Sequence, residues 1–476
     1  MQFLSPVAML TFPPAAILYY LLPMPARKYC LCVFSIACYV WLGVMPALLL
    51  LAISTVAFLF AAAIVRLADK QKKTVLFAGI ALNIAILLYF KYTFRLPPGM
   101  SFYMLHVIGY LADVYAGTPA DTVEAFKNPA PAKILRQFVL FVTFVSFFPN
   151  VISGPIERSS SMFPQFEKPA AFDYDRMVDG LLLMLWGYFL KLVLSARMAI
   201  PIRTVYDDPS AHYGIVSLLV MLLYSMQLYC DFAGYSCIAI GAAKVFGITI
   251  RENFRAPYLA TTIADFWNRW HISLSSWLRD YLYIPLGGSK GGTAPTCLNL
   301  LIVFTVSGIW HGATSTFLVW GILHGVYQIA ARLLKEPWKR FADKTRIDRD
   351  RFSCRFFFVV FTFLLASLAW VFFRAPDTAQ ALDMLRHVSL DLDPLFAGKL
   401  YTLGLDRANV GVLLAGLVLV AAVDLCNEKG IRVREQLMRR SVRVRWPVLL
   451  CAIALIFVLG IWGAGYDASD FIYAQF

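Results

Sequence analysis

Apolar residues are gathered into long uninterrupted runs along this chain. No Asp, Glu, Lys or Arg occurs in residues 29–65 or in residues 291–331. Further uncharged runs cover residues 74–90, 138–156, 356–373 and 446–466. Because a helix needs about 20 apolar residues to cross a bilayer, the pattern predicts that most of the chain is intramembrane helix.

Two of the apolar stretches are predicted to differ from simple spans. Residues 29–65 would form about 55 Å of helix, which is nearly two crossings. Gly43 and Pro46 are placed to break that helix, so we expect a helical hairpin. Residues 96–99 are followed by residues 101–117, which hold His106 and Asp113, and this stretch is too polar for a lipid-exposed span. It predicts a tilted or partly buried helix.

The region 224–331 has the least usual pattern. Asp231 lies between two apolar runs, so either a carboxylate sits at membrane depth or the chain re-enters the membrane there. Residues 251–290 are dense in Trp, Tyr, Arg and Asp. Such a segment is too polar to face lipid, and we expect short-helical or non-helical backbone inside the protein that lines a cavity.

Composition supports a membrane protein. The chain has 476 residues, of which 60% are hydrophobic and 15% are charged. Soluble domains have about 45–50% apolar residues and about 25% charged residues. The segments lack the period-two alternation of an outer-membrane barrel. We therefore predict an all-α polytopic fold of about 10–12 spans with additional re-entrant or short helices.

The first helix is expected to be uncleaved. One domain is expected, with N-terminal spans in 1–95, a core in 96–331 and C-terminal spans in 332–476.

The distribution of charge predicts the orientation. The net charge is +14, and the loops 332–355 and 429–445 are strongly basic. Both are predicted to be cytoplasmic by the positive-inside rule, which places the acidic segment 377–407 and both termini outside. We attribute the positive charge to topology and to contact with anionic membrane lipid, and not to nucleic-acid binding.

Three of the six histidines, His271, His311 and His324, fall close together in the sequence. His311 follows small residues near the middle of 291–331, where a hairpin would bend. A site shielded from water favours neutral imidazole, which can accept a proton. The alternative, strongest for His324 on a regular helix, is a histidine that only bonds a neighbouring helix. For His271, the alternative is an aromatic belt at the membrane interface.

Other catalytic patterns are missing from the sequence. It contains no His-Glu-x-x-His pair. The nine cysteines suggest neither a disulfide framework nor a metal site, and no metal is expected. The glycine-rich run 285–292 is either a backbone nest for an anion or a plain turn. Composition alone leaves a proton-coupled transporter or flippase open.

Several sequence blocks resemble a known family. They include CDFAGYS (230–236), ENF (252–254), DFWNRWHISLS (265–275), WLRDYLYIPLGG (277–288), SGIWHG (307–312), WGILHG (320–325) and WVFFRA (370–375), with earlier blocks at 96–115, 147–149 and 153–156. Together they are similar to the membrane-bound O-acyltransferases, and most similar to the bacterial alginate O-acetyltransferase branch.

The resemblance implies a helical bundle around a central funnel, with His311 as the key histidine and His271 as a second functional histidine. It implies that acetyl passes from cytoplasmic acetyl-CoA, a co-substrate and not a resident cofactor, across the bacterial inner membrane. The acceptor would be a periplasmic exopolysaccharide of alginate or cellulose type, reached through periplasmic partner proteins. D-alanyl or other acyl transfer to a cell-envelope polymer is the alternative. The residues expected to line the funnel are Asp231, Asn268, Ser307, Trp310 and His324.

Coenzyme A carries phosphates that require cationic partners. The candidates nearest His271 in the sequence are Arg255, Arg269, Arg279 and Lys290. Ion pairs between these arginines and nearby aspartates would give them a structural role instead.

Overall fold

The computed structural model describes residues 6–93, 96–345, 347–348, 351–396, 398 and 402–461. Within these residues the regular structure is helical, without a β-strand. In chain order the helices are α1 (Pro6–Leu21), α2 (Met24–Leu42), α3 (Val44–Arg66), α4 (Asp69–Thr93), α5 (Met100–Tyr115), α6 (Ala120–Lys127), α7 (Pro131–Ser146), α8 (Ser159–Glu167), α9 (Tyr174–Tyr188), α10 (Ala196–Asp207), α11 (Ile215–Val245), α12 (Ile263–Arg269), α13 (Ile272–Leu278), α14 (Thr293–His311), α15 (Ser315–Lys344), α16 (Phe352–Arg374), α17 (Thr378–His387), α18 (Asp393–Phe396), α19 (Arg407–Glu428), α20 (Val433–Met438) and α21 (Val442–Leu459). Two π-helical segments cover Phe189–Ser195 and Arg279–Tyr283.

Nine helical segments in the described part of the chain are long and apolar enough to cross a membrane. They are α3, α4, the continuous stretch Tyr174–Asp207, α11, α14, α15, α16, α19 and α21. A shorter apolar helix covers Met9–Leu21. The predicted all-α polytopic fold is confirmed. The terminal residues that we placed outside the membrane, including Asp467 and Asp470, lie beyond the described ranges.

The described residues form two compact units. The first comprises residues 6–186 and 235–252, and the second comprises residues 187–234 and 253–461.

In the first unit the predicted hairpin of residues 29–65 is present as α2 and α3. The chain breaks at Gly43, whose φ of +149° is a backbone conformation that favours glycine. Pro46, which we expected to help break the helix, lies in the first turn of α3. Proline is tolerated there because the first amide groups of a helix have no intrahelical partner.

The polar helix predicted for residues 101–117 is α5, and residues 100–111 of it are buried. His106 in this helix accepts a hydrogen bond at Nε2 from the backbone N–H of Glu157, at 3.0 Å. Glu157 lies near the end of the irregular segment 147–158, which is also buried. The prediction of a partly buried helix is confirmed, and Nε2 of His106 is bonded inside the unit.

In the second unit, the chain does not re-enter at Asp231. Helix α11 runs through this residue without interruption, and Asp231 is only 2% exposed. Of the two alternatives from the sequence, the buried carboxylate is therefore the one observed.

The aromatic segment 251–290 is short-helical, as predicted. Helices α12 and α13 have seven residues each, and a π-helical segment follows α13. Trp270, between α12 and α13, is buried, whereas residues 284–287 and 289–290 are exposed. The aromatic part of the segment thus contributes to the core of its unit, and the glycine-rich end lies at the surface.

Residues 291–331 form the hairpin of α14 and α15, as predicted, but its bend comes later than expected. Gly308 is helical, and the chain turns at residues 312–314. A Cβ at Gly308 would collide with the backbone carbonyl oxygen of Phe317, and one at Gly321 would collide with that of Phe304. These small residues therefore serve the close approach of two helix backbones, not the bend.

Candidate active site

His311 is the last residue of α14 and is buried. Its ring contacts three aromatic side chains of the second unit, with centroid distances of 4.7 Å to Trp310, 5.0 Å to Trp320 and 5.3 Å to Phe373. The close packing of α14 on α15 fixes the end of α14, and the aromatic rings then fix the imidazole. The sequence prediction that His311 lies at the corner of a hairpin is confirmed.

His271 lies between α12 and α13 and is also buried. Its φ of +44° is uncommon for a residue other than glycine. The imidazole meets the ring of Phe232 edge to face at 4.6 Å and the ring of Trp310 at 6.4 Å. Trp310 therefore contacts both His271 and His311, and it brings the two predicted catalytic histidines to one place.

The hydrogen bonds of His271 involve a residue to which the sequence analysis gave no role. Nδ1 of His271 lies 3.1 Å from Oδ1 of Asn253, and the same oxygen accepts hydrogen bonds from the backbone N–H and the hydroxyl of Ser273. Burial lowers the pKa of His271 to about 3. The imidazole is therefore neutral near pH 7 and can accept a proton.

His324 lies on α15 and is enclosed by aromatic rings. The indole N–H of Trp267 donates to Nδ1 of His324 at 3.3 Å. The His324 ring lies 5.1 Å from Trp320, which also contacts His311. The structure thus places His324 in the same aromatic cluster as His311, bonded to a neighbouring element as the structural alternative requires. Ser307, one turn before His311, is buried in the same helix.

Asp231, a predicted funnel-lining residue, is part of a buried ion pair. Lys191, in the π-helical segment Phe189–Ser195, donates to Oδ1 of Asp231. The hydroxyl of Ser195 donates to the same oxygen at 2.8 Å. The sequence analysis did not identify Lys191. The available signal was a lysine inside the apolar run 189–194 of a membrane span, because such a charge requires a partner.

The basic residues proposed for the donor phosphates have different surroundings. Arg269 donates to both carboxylate oxygens of Glu428, at 2.6 and 3.3 Å, and to Asp265 at 2.8 Å. These carboxylates raise the pKa of Arg269. Arg279 pairs with Asp280 at 2.9 Å. Arg269 is therefore paired with carboxylates, as expected for a structural role and not for phosphate binding.

The other candidates lie at the surface. Arg255, Lys290 and the predicted funnel residue Asn268 are exposed. In the glycine-rich turn, the side-chain amide of Asn299 donates to the carbonyl oxygen of Gly288 at 2.9 Å. Donor binding by these residues stays a prediction. In the part of the chain that the structure describes, no group of three or more His, Cys, Asp or Glu is arranged to hold a metal ion.

Comparison with known proteins shows the family of the chain. Residues 34–373 match the model of the MBOAT, membrane-bound O-acyltransferase family. The chain is 34% identical over 416 residues to the "Probable alginate O-acetylase AlgI" of Azotobacter vinelandii, covering 81% of this chain and 77% of that protein. It is also 34% identical over 351 residues to the "Peptidoglycan O-acetyltransferase" of Helicobacter pylori, covering 67% and 65%.

A third relative is the "Teichoic acid D-alanyltransferase" of Bacillus subtilis, 31% identical over 208 residues, which cover 41% of this chain and 52% of that protein. The family match covers well over half of the chain and includes Trp310, His271 and His311. The chain therefore belongs to the membrane-bound O-acyltransferase family and is a multi-pass membrane acyltransferase.

Proposed function

We propose that this acyltransferase takes acetyl from cytoplasmic acetyl-CoA and passes it across the inner membrane for O-acetylation of a periplasmic exopolysaccharide of alginate or cellulose type. The observation that carries the proposal is the pair of buried imidazoles, His271 and His311, whose rings both contact Trp310. The names of the relatives from Azotobacter vinelandii and Helicobacter pylori support O-acetyl transfer as the reaction. Periplasmic partner proteins would carry the acetyl group to the polymer, or they would present the polymer to the enzyme.

In the direct form of the reaction, His311 withdraws the proton of an acceptor hydroxyl. The hydroxyl oxygen attacks the thioester carbonyl carbon, a C–O bond forms, the C–S bond breaks, and the proton goes to the sulfur of coenzyme A. A positioned general base contributes roughly 10²–10⁴-fold to such a step. In the alternative form, an acyl-enzyme is made first and is then attacked by the acceptor.

The proposed orientation follows from charge. The basic loops 332–355 and 429–445 face the cytoplasm and contact anionic lipid, and the termini face the periplasm. In this orientation three of the four basic candidates would serve a cytoplasmic thioester: Arg255, Arg279 and Lys290. Arg269 is held by Glu428 and Asp265 instead.

Thioester consumption by purified protein in lipid nanodiscs tests the proposal. We expect wild-type protein to release coenzyme A from acetyl-CoA and to form acetyl esters when a hydroxyl polymer and the candidate periplasmic partners are added. His311→Ala should abolish both. His387→Ala is the matched control, since His387 bonds the carbonyl oxygen of Asp383 on α17, outside the proposed site. Folded wild-type protein that neither hydrolyses nor transfers acetyl would contradict the proposal.

D-alanyl transfer is the second candidate, and the Bacillus subtilis relative favours it. A D-alanyl thioester offered in the same assay separates the two. We expect acetyl-CoA to be consumed and the D-alanyl thioester to be left intact; the reverse would replace acetyl by D-alanyl in the proposal.

A further inference from the structure

The loop that carries His271 is hydrogen-bonded to both the side chain and the backbone of Asn253. Oδ1 of Asn253 lies 3.1 Å from His271 Nδ1, 3.2 Å from the backbone nitrogen of Ser273 and 2.9 Å from the hydroxyl of Ser273. The backbone carbonyl of Asn253 accepts the N–H of Ile272 at 3.0 Å. Asn253, His271 and Ser273 are all buried. Four contacts from one asparagine thus converge on three consecutive residues.

These contacts determine which nitrogen of His271 carries the hydrogen. A backbone N–H can only donate, so the Asn253 atom that faces the Ser273 amide is the carbonyl oxygen and not the amide nitrogen. That oxygen can only accept. The His271 nitrogen 3.1 Å away must therefore be the donor. In a neutral imidazole one nitrogen carries the hydrogen and the other carries the lone pair, so the lone pair of His271 is at Nε2.

The backbone at His271 gives a reason for so many contacts. A residue other than glycine at φ of +44° is held in a sparsely populated backbone conformation. Such a conformation persists only where the surroundings determine it. The three donors that meet at Oδ1 of Asn253 hold the backbone in this conformation, and they fix the imidazole of His271 together with its loop.

We propose that Asn253 is a positioning residue for acyl transfer: it holds His271 as the Nδ1–H tautomer, so that Nε2 accepts a hydrogen bond or a proton from an O–H or N–H group of a substrate. This inference rests on the proposed function for its catalytic meaning, but the tautomer itself does not depend on it. Burial, which keeps His271 neutral, makes the choice of tautomer decisive, because a neutral ring offers a lone pair at one nitrogen only.

The tautomer can be measured without any assay of activity. Solid-state ¹⁵N spectra of histidine-labelled wild-type protein in lipid, with His271→Ala to assign the signal, report which nitrogen is protonated. We expect a protonated Nδ1 and an unprotonated Nε2, and we expect Asn253→Ala to lose this single tautomer. A protonated Nε2 in the wild-type protein would overturn the inference, even if the protein proves to be an acetyltransferase.

Kinetics then test the positioning role. Asn253→Ala should lower kcat for acetyl-CoA consumption by roughly 10–100-fold, with KM for acetyl-CoA within about twofold, because an outer partner of a functional histidine is removed. Asn253→Asp, which keeps an accepting oxygen, should stay within about fivefold of wild type. A purely structural role predicts that both variants lose activity and thermal stability together.

Two further variants keep the outcomes distinct. Asn83→Ala removes a buried asparagine of α4 that donates to the Gly79 carbonyl, and it should leave kcat unchanged. In the His271→Ala background, Asn253→Ala should cause no further loss of kcat, since the two residues act as one unit. An active wild-type protein whose Asn253→Ala variant keeps full kcat would refute the positioning role alone. An inactive wild-type protein with the expected tautomer would refute the proposed function alone.

Discussion

Replacing Asp231 with Asn should destabilise the protein strongly, because the charge of Lys191 would lose its counterion. The side chains of Lys191 and Asp231 are 4% and 3% exposed, so water cannot replace the missing partner. The hydroxyl of Ser195 would still find an oxygen acceptor in the asparagine. The loss of stability therefore measures the contribution of the ion pair and not that of the neighbouring hydrogen bond.

The expected magnitude follows from the burial of the pair. Removing one partner of a buried ion pair costs roughly 3–5 kcal/mol. At about 2–4 °C per kcal/mol for a folding unit of some 150–250 residues, the unfolding temperature should fall by roughly 6–20 °C. The double variant Lys191→Met with Asp231→Leu should recover most of this loss, since apolar side chains of similar volume can replace a buried pair at little cost.

Thermal unfolding in detergent, followed by tryptophan fluorescence and by loss of the monodisperse gel-filtration peak, measures the effect. The control is Asp69→Asn, which breaks an ion pair with Lys72 at the surface of α4 and should leave the unfolding temperature unchanged. An Asp231→Asn protein that melts within about 2 °C of wild type would refute the reasoning. A double variant no more stable than the single one would show that the two charges are not coupled.

Two other predictions concern the supports of the candidate site. Gly308→Val should lower the unfolding temperature and abolish acyl transfer, because its Cβ would collide with the Phe317 backbone near the end of α14; full activity would show that the two helices can separate. Arg269→Gln should lower the unfolding temperature through loss of the bonds to Glu428 and Asp265, with the Kd of acetyl-CoA in equilibrium binding unchanged. A tenfold weaker Kd at unchanged stability would instead assign Arg269 to the donor phosphates.

Local patterns in the sequence predicted several elements of the fold. The uncharged run 29–65 is too long for one crossing, and its glycine is where the helix breaks. The polar helix α5 and the short helices near His271 were predicted because their polar residues cannot face lipid. The hairpin of α14 and α15 was also predicted, but not its register. Gly308 is compatible with either a bend or a close helix approach, and only the partner helix decides between them.

Contacts between distant residues could not be predicted in the same way. Lys191 and Asp231 are 40 residues apart, and Asn253 and His271 are 18 residues apart. No spacing rule connects such residues, because their approach depends on the packing of whole helices and of the loop between α11 and α12. The sequence therefore predicted His271 and His311 as candidates, and the structure was needed to find the groups that bond His271 and neutralise Asp231.

The central claim is that acetylation depends on the imidazole of His311. The most direct test is the acetyl-ester content of the exopolysaccharide made by cells that lack the chromosomal copy and express wild-type, His311→Ala or His324→Ala protein at equal membrane levels. We predict normal acetylation with wild type, none with His311→Ala, and a smaller reduction with His324→Ala, whose ring is bonded to Trp267. Normal acetylation by a stably inserted His311→Ala protein would contradict the assignment.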